Sequence, residues 1–160
     1  MTIVACDVPA DTLLYGYSLE HYTDCYTTTV RKEIDLPRFI TAFYNSLGFR
    51  PERVLLGLAL GHQADNQSTA ELASDQTRHF SAWRVEERLP NEILLADMSG
   101  TTRSWLMVDA ISAGLTRLYF GSAVVSKSGS DGGRPLLFRV LTPLHRVYSR
   151  VLLATAVSGL

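Results

Sequence analysis

The densest chemistry in this chain lies between residues 103 and 119, where Arg103, Trp105, Met107 and Asp109 recur at every second position and Arg117 and Tyr119 repeat the spacing. Side chains two apart on a strand share one face. Trp83 sits in a similar run, with Trp83 and Val85 alternating against Arg84, Glu86 and Arg88. If these registers place them on one inner face, Trp83, Trp105, Met107 and Tyr119 make an apolar wall tipped by indole and phenol groups. Such a wall suits a small hydrophobic or aromatic ligand, and it serves equally well as ordinary core. Arg103, Asp109 and Arg117 follow the same alternation inward, where a charge requires a partner. They are the candidate polar anchors, their plainer role being a salt bridge or a strand end that reaches water.

Other reactive residues are more scattered. His145 and Tyr148 are three apart on one stretch, so an imidazole at the edge of an apolar face could hydrogen-bond a ligand or exchange a proton near neutral pH. His21, Asp24 and Cys25 are neighbours in sequence, but strand alternation sends Asp24 and Cys25 to opposite faces, which argues against a nucleophile and its base. His62 and His79 lack the partners of a metal-binding motif, and the run Ser-Gly-Ser-Asp-Gly-Gly at 128–133 lacks the strand-to-helix context of a phosphate loop. Neither a metal nor a cofactor is expected. Cys6 and Cys25, the two cysteines, show no disulfide or CxxC spacing and read as reduced thiols in a cytoplasmic setting.

The elements that must position these groups follow from periodicity and punctuation. Residues 22–34 are rich in Thr, Tyr and Val and read as a strand. Asp35 supplies an N-cap, Pro37 fits a first helical turn, and Phe39, Phe43 and Leu47 recur along one side until Gly48. A second short helix runs from Pro51 to Gly61, with Val54 and Leu58 stacked. Residues 62–79 are polar and read as a long loop with one helical turn at 70–73. Four further strands, beginning at Phe80 and spanning 93–98, 103–111 and 115–125, are joined by short turns as an antiparallel meander. The last element is amphipathic: Leu144, Val147, Tyr148, Val151 and Leu152 share a broad face against Arg139, Arg146 and Arg150. Thr142-Pro143 reads as its N-cap and first turn, giving a helix over 142–157.

Composition limits the function classes. The 160 residues suit one domain over 1–160, with residues 1–19 a loose N-terminal segment. An apolar share of 46% against 19% charged residues is that of a globular chain. A net charge of −1 offers no overall basic field for nucleic acid, and no apolar run is long enough for a membrane span. The opening Met-Thr-Ile-Val-Ala-Cys lacks the flanks of a signal segment and reads as an ordinary terminus. Charge is uneven, with Asp7, Asp11, Glu20 and Asp24 preceding any base and Arg134, Arg139, Arg146 and Arg150 following the last acid. The basic helix face reads as solvated; alternatively the acidic segment lies across it, within the chain or between two copies.

The order of strand, two short helices, meander and long final helix resembles the START-like superfamily, also called SRPBCC or Bet v 1-like. The phrases carrying the likeness are Tyr22-Thr-Asp24, Ala42-Phe43-Tyr44-Asn-Ser46, Trp83, Ser104-Trp105-Leu106, Thr116-Arg117-Leu118 and Leu144-His-Arg-Val-Tyr148-Ser-Arg150-Val-Leu-Leu153. They are similar to a small bacterial branch of it and span residues 20–157. The resemblance implies an α+β fold in which an antiparallel curved sheet wraps a long C-terminal helix, the helix-grip, with two short helices between the first and second strands. It also implies an internal cavity for an apolar ligand, although the five strands counted here are fewer than the full pattern and leave that cavity small or filled. Three functional readings stand: a module binding a small hydrophobic molecule through Trp83, Trp105, Met107, Tyr119, Arg103, Asp109, Arg117, His145 and Tyr148; a cyclase or aromatase in which Arg117 and His145 handle protons; and a homodimer with a filled core.

Overall fold

The structure, a computed structural model, describes residues 2–46, 66–125 and 136–160. Seven strands form one antiparallel, curved and unclosed sheet: β1 (Val4–Ala5), β2 (Tyr22–Val30), β3 (His79–Phe80), β4 (Trp83–Leu89), β5 (Glu92–Asp97), β6 (Thr102–Ser112) and β7 (Leu115–Val124), in the spatial order β1-β2-β7-β6-β5-β4-β3. Among the described residues the helices are α1 (Tyr15–Ser18), α2 (Leu36–Tyr44), α3 (Asn66–Ala73) and α4 (Leu136–Ser158). This α+β arrangement is compatible with a helix-grip. The second short helix expected from Pro51 to Gly61 lies outside the described residues, as do Leu47, Gly48 and His62. Among the described residues no helix is long and apolar enough to cross a membrane.

α2 forms where its cap and stripe dictate. Asp35 Oδ1 accepts a hydrogen bond from the Arg38 backbone N–H at 2.8 Å, and Leu36, Phe39, Ile40, Phe43 and Tyr44 bury one face. Phe43 meets Phe120 of β7 with ring centroids 4.7 Å apart, and Tyr44 meets Phe80 at 4.9 Å. These rings and Leu152, Leu153 and Ala156 of α4 build the main core on one side of the sheet.

Several local expectations change. Residues 66–73 are a two-turn helix rather than a single turn, because Thr69, Leu72 and Ala73 make a narrow buried stripe and Arg88 caps its end from β4, donating to the carbonyls of Leu72 and Ala73 at 2.7 and 2.8 Å. A β-bulge between Val85 and Glu87 makes this possible. The extra residue shifts the register, so Arg88 stands opposite Ile93 on the helix-facing side instead of sharing the solvated face with Arg84. α4 begins at Leu136, with Pro143 inside it rather than in its first turn. Among its described side chains Ser149, Leu152, Leu153 and Ala156 are buried, while Val147 is 61% and Val151 45% exposed despite the broad apolar face expected for both.

The two strands not expected, β1 and β3, are only two residues long and carry no period. β1 ties the N-terminal segment to β2, and the chain then crosses the side of the sheet turned away from α2 and α4, where Leu14 is fully buried. Residues 6–17 thus lie against that side, with Cys6, Val8, Leu13 and Tyr17 packed beside Leu14. Asp7 and Asp11 belong to this far side, so they do not lie across the basic face of α4 within the chain. Instead Arg150 stacks over Tyr26 of β2 at 5.5 Å, with its own surface exposed.

Gly121 makes the far-side packing possible. A Cβ there would stand 2.5 Å from Leu14 Cδ2 and 3.0 Å from both the Asp24 carbonyl oxygen and Trp105 Cε3. Gly121→Ala should lower stability by about 1–3 kcal/mol, read as an earlier urea midpoint. Asp97 closes the β5–β6 turn, its carboxylate accepting from the Thr102 N–H at 3.0 Å and from the Ser99 and Thr101 hydroxyls. Burial alone would raise its pKa, but hydrogen bonds from Ser99, Thr102 and Thr101 outweigh it and hold the carboxyl below the ordinary value. Its contribution is thus complete above the unfolded aspartate value of about 4 and is lost as pH falls through the folded value. Asp97→Asn should flatten that acid limb in denaturation midpoints measured from pH 6 downward.

Candidate functional site

The register brings six of the expected residues to one face. Met107 stands opposite Tyr119 and Asp109 opposite Arg117, with Arg103 and Trp105 on the same side of β6. That face is the far side of the sheet, away from α2 and α4, and the chain's own N-terminal segment covers part of it. Trp105 is fully buried against Leu14, Cys25 and Leu94, and its ring lies 6.1 Å from that of Tyr119. Trp83 is on the opposite, helix-facing side with Val85 and Phe80. The expected four-residue wall is therefore divided. Alternation fixes which residues of one strand share a face, but it does not relate Trp83 to Trp105 across the intervening β5 and the Glu86 bulge.

Glu92, Glu86 and Arg103 on the far side have each found a partner. Glu92, 3% exposed, accepts from Trp105 Nε1 at 2.7 Å and from the Leu13 backbone N–H at 3.0 Å through the same oxygen. Arg103 Nε lies 2.8 Å from Glu86 Oε2 and 3.1 Å from the Tyr17 hydroxyl, its guanidinium over the Tyr17 ring, while that hydroxyl donates to the other Glu86 oxygen. Burial first, and then the bond to Glu86, raises the Tyr17 pKa, which keeps the phenol a donor. Arg117 reaches the Tyr119 hydroxyl at 3.5 Å, beside an open cleft of about 550 Å³ that Cys6 and Asp7 also line. Far-side chemistry is thus a set of anchors for the N-terminal segment plus one shallow cleft.

A different polar group occupies the helix-facing side. Asp24, Ser122 and Ser104 stand at one level across β2, β7 and β6. The Ser122 hydroxyl donates to Asp24 Oδ1 at 2.5 Å, and Ser149 of α4 donates to Asp24 Oδ2 at 3.3 Å. Tyr44 of α2 shares a hydrogen bond with Ser104 at 3.3 Å. Ser104, Ser122, Ser149 and Tyr44 are all buried, with Phe43, Leu106 and Phe120 in the surrounding apolar layer. Trp83 belongs to the next level of the ladder on this side, opposite Asp97, and its buried indole N–H has no hydrogen-bond partner among the described residues.

Sequence reasoning singled out Trp83 and Tyr148 on this side but missed Ser104, Ser122, Ser149 and Tyr44 as a group. The available signal was a serine at a core-facing position of three separate elements. Tyr148 is half-buried against the main core, whereas the side chain of His145 lies outside those described. The expected separation of Asp24 from Cys25 holds, with Cys25 in the far-side cluster. Among the described residues no three of His, Cys, Asp or Glu come together to hold a metal.

With this geometry in hand, the chain was compared with known proteins: no family model, curated protein or solved structure matches it.

The Glu92 anchor is directly testable. Glu92→Ala strands the buried Trp105 N–H, at a cost of about 1–3 kcal/mol, and also releases the part-buried Leu13 N–H. Its denaturation midpoint should fall well below that of Glu92→Gln, which retains an acceptor oxygen.

Proposed function

We propose that this chain is a START-like, helix-grip binding module that holds a small, mainly apolar ligand with one polar end on the helix-facing side of its sheet. The observation carrying this reading is the row of half-buried Asp24 and buried Ser122 and Ser104, joined by buried Ser149 and Tyr44 and followed by a Trp83 N–H with no hydrogen-bond partner among the described residues, inside an otherwise apolar layer. Polar groups are costly to bury, and stability alone is served better by apolar side chains at those positions. A few convergent polar groups in an apolar lining are the usual composition of a small-molecule site. In this reading Trp83 and Tyr148 supply apolar wall, the serines and Asp24 supply a hydrogen-bonding floor, and the indole N–H of Trp83 donates to the ligand's polar end. The START-like resemblance points to the same side, since that superfamily encloses its ligands between sheet and final helix.

The reading moves the ligand away from Trp105, Met107 and Tyr119, which pack on the far side. It also favours binding over the cyclase alternative. Arg117 faces the far side, whereas α4, the helix that carries His145, packs Leu152, Leu153 and Ala156 against the other side of the sheet.

Mass spectrometry of the purified protein under native and then denaturing conditions, with a solvent extract, tests the proposal. The expected result is one apolar passenger per chain, or, for a chain purified empty, saturable binding of anilinonaphthalene sulfonate. Trp83→Phe should weaken retention by about tenfold, the value of one hydrogen bond to a polar ligand, at unchanged melting temperature. Absence of both a passenger and dye binding by the folded protein overturns the reading.

A further inference from the structure

Cys6 and Cys25 are separated by 19 positions, but the pairing of Val4 with Thr27 and Ala5 with Tyr26 continues directly to them. The Cys6 N–H donates to the Cys25 carbonyl at 3.0 Å, and the two sulfurs lie 3.3 Å apart. Their surroundings differ. Cys25 is buried beneath the N-terminal segment, whereas Cys6 is half-buried and lines the open cleft with Asp7, Thr27, Thr29, Arg117 and Tyr119.

We propose that Cys6 and Cys25 are a reversible dithiol–disulfide pair, with Cys6 as the attacking thiol, Cys25 as the resolving thiol, and a small-molecule disulfide of the glutathione type as oxidant. Accessibility assigns the order, because only Cys6 opens onto a cleft wide enough for a second disulfide. The electrostatics agree: the hydrogen bond from Cys25 lowers the Cys6 pKa against the opposing effects of burial and Asp7, with Arg117 assisting, while that same contact and burial push the Cys25 thiol up.

In the first step Cys6, having released its proton, attacks one sulfur of the small disulfide. The S–S bond breaks, a mixed disulfide forms on Cys6, and the departing thiolate takes up a proton. Cys25 then loses its proton and attacks Cys6 Sγ, expelling the second thiolate, which is protonated in turn. Two protein thiols are oxidised by two electrons to one disulfide, and one small disulfide is reduced to two thiols. Excess small thiol reverses both steps. The product ties the N-terminal segment to β2 beside the covered Trp105.

Incubation of the folded protein in oxidised and reduced glutathione mixtures, followed by acid quench, iodoacetamide alkylation in denaturant and intact-mass analysis, provides the test. The wild-type chain is expected to lose two hydrogens, resist alkylation at both positions and remain monomeric, with full reversal by reduced glutathione. Cys25→Ser should stop at one glutathione adduct on Cys6, and Cys6→Ser should react at least tenfold more slowly. If Cys25→Ser proves unfolded, the wild-type mass decides alone. Two alkylated thiols after oxidation, a persistent glutathione adduct on the wild-type chain, or a disulfide-linked dimer overturns the proposal.

Discussion

Three neighbouring strands in the middle of the sheet are buried on both faces. Residues 92–96 of β5, 104–108 of β6 and 118–123 of β7 are buried without interruption, whereas an antiparallel sheet more often leaves one side to water. Both sides therefore need a cover. α2 and α4 supply one and, among the described residues, 6–17 supply the other, so each contact of that segment counts. Full burial of Leu14 contributes roughly 2 kcal/mol, similar to the two hydrogen bonds that Glu92 accepts. The cover is consequently held by packing and polar anchoring together, and Gly121 supplies the space that lets both operate.

This two-sidedness also explains what the sequence made legible. Enrichment in Thr, Tyr and Val located β2, period-two alternation and turn residues located β4–β7, and Asp35, Pro37 and the Phe39/Phe43 spacing located α2, because those signals are local. The far-side face of β6 and β7 was readable for the same reason, including the grouping of Arg103, Trp105, Met107, Asp109, Arg117 and Tyr119. Which side faces the helices was not readable. An apolar run buried on both faces gives alternation no preferred direction, and the bulge at Glu86 inverts the faces of the residues after it. The capping of α3 by Arg88 and the pairing of Cys6 with Cys25 depend on partners 15 to 19 residues away, beyond the reach of a local pattern.

The two polar groups on opposite sides of the sheet have different characters. On the far side, Glu92, Glu86, Arg103 and Tyr17 are charge-assisted and saturated by one another and by backbone, which suits a fastening. On the helix-facing side, hydroxyls predominate around a single carboxylate, and an indole donor at the next level has no partner among the described residues. Hydroxyls can act as donor or acceptor as a neighbour requires. The first group resists exchange of partners, while the second can rearrange its bonds at small cost.

The course of the N-terminal segment also bears on solubility under stress. β2 is a nine-residue strand, Tyr-Thr-Asp-Cys-Tyr-Thr-Thr-Thr-Val, with one carboxylate and no base. Long strands of this composition with an open edge are templates for pairing with other chains. β1 lies along that edge, with the Cys6 N–H bonded to Cys25 and the Thr28 hydroxyl bonded to the Thr2 carbonyl on either side of it. Detachment of so short a guard strand would leave the β2 edge open to cross-β pairing, so the first few residues shield that edge.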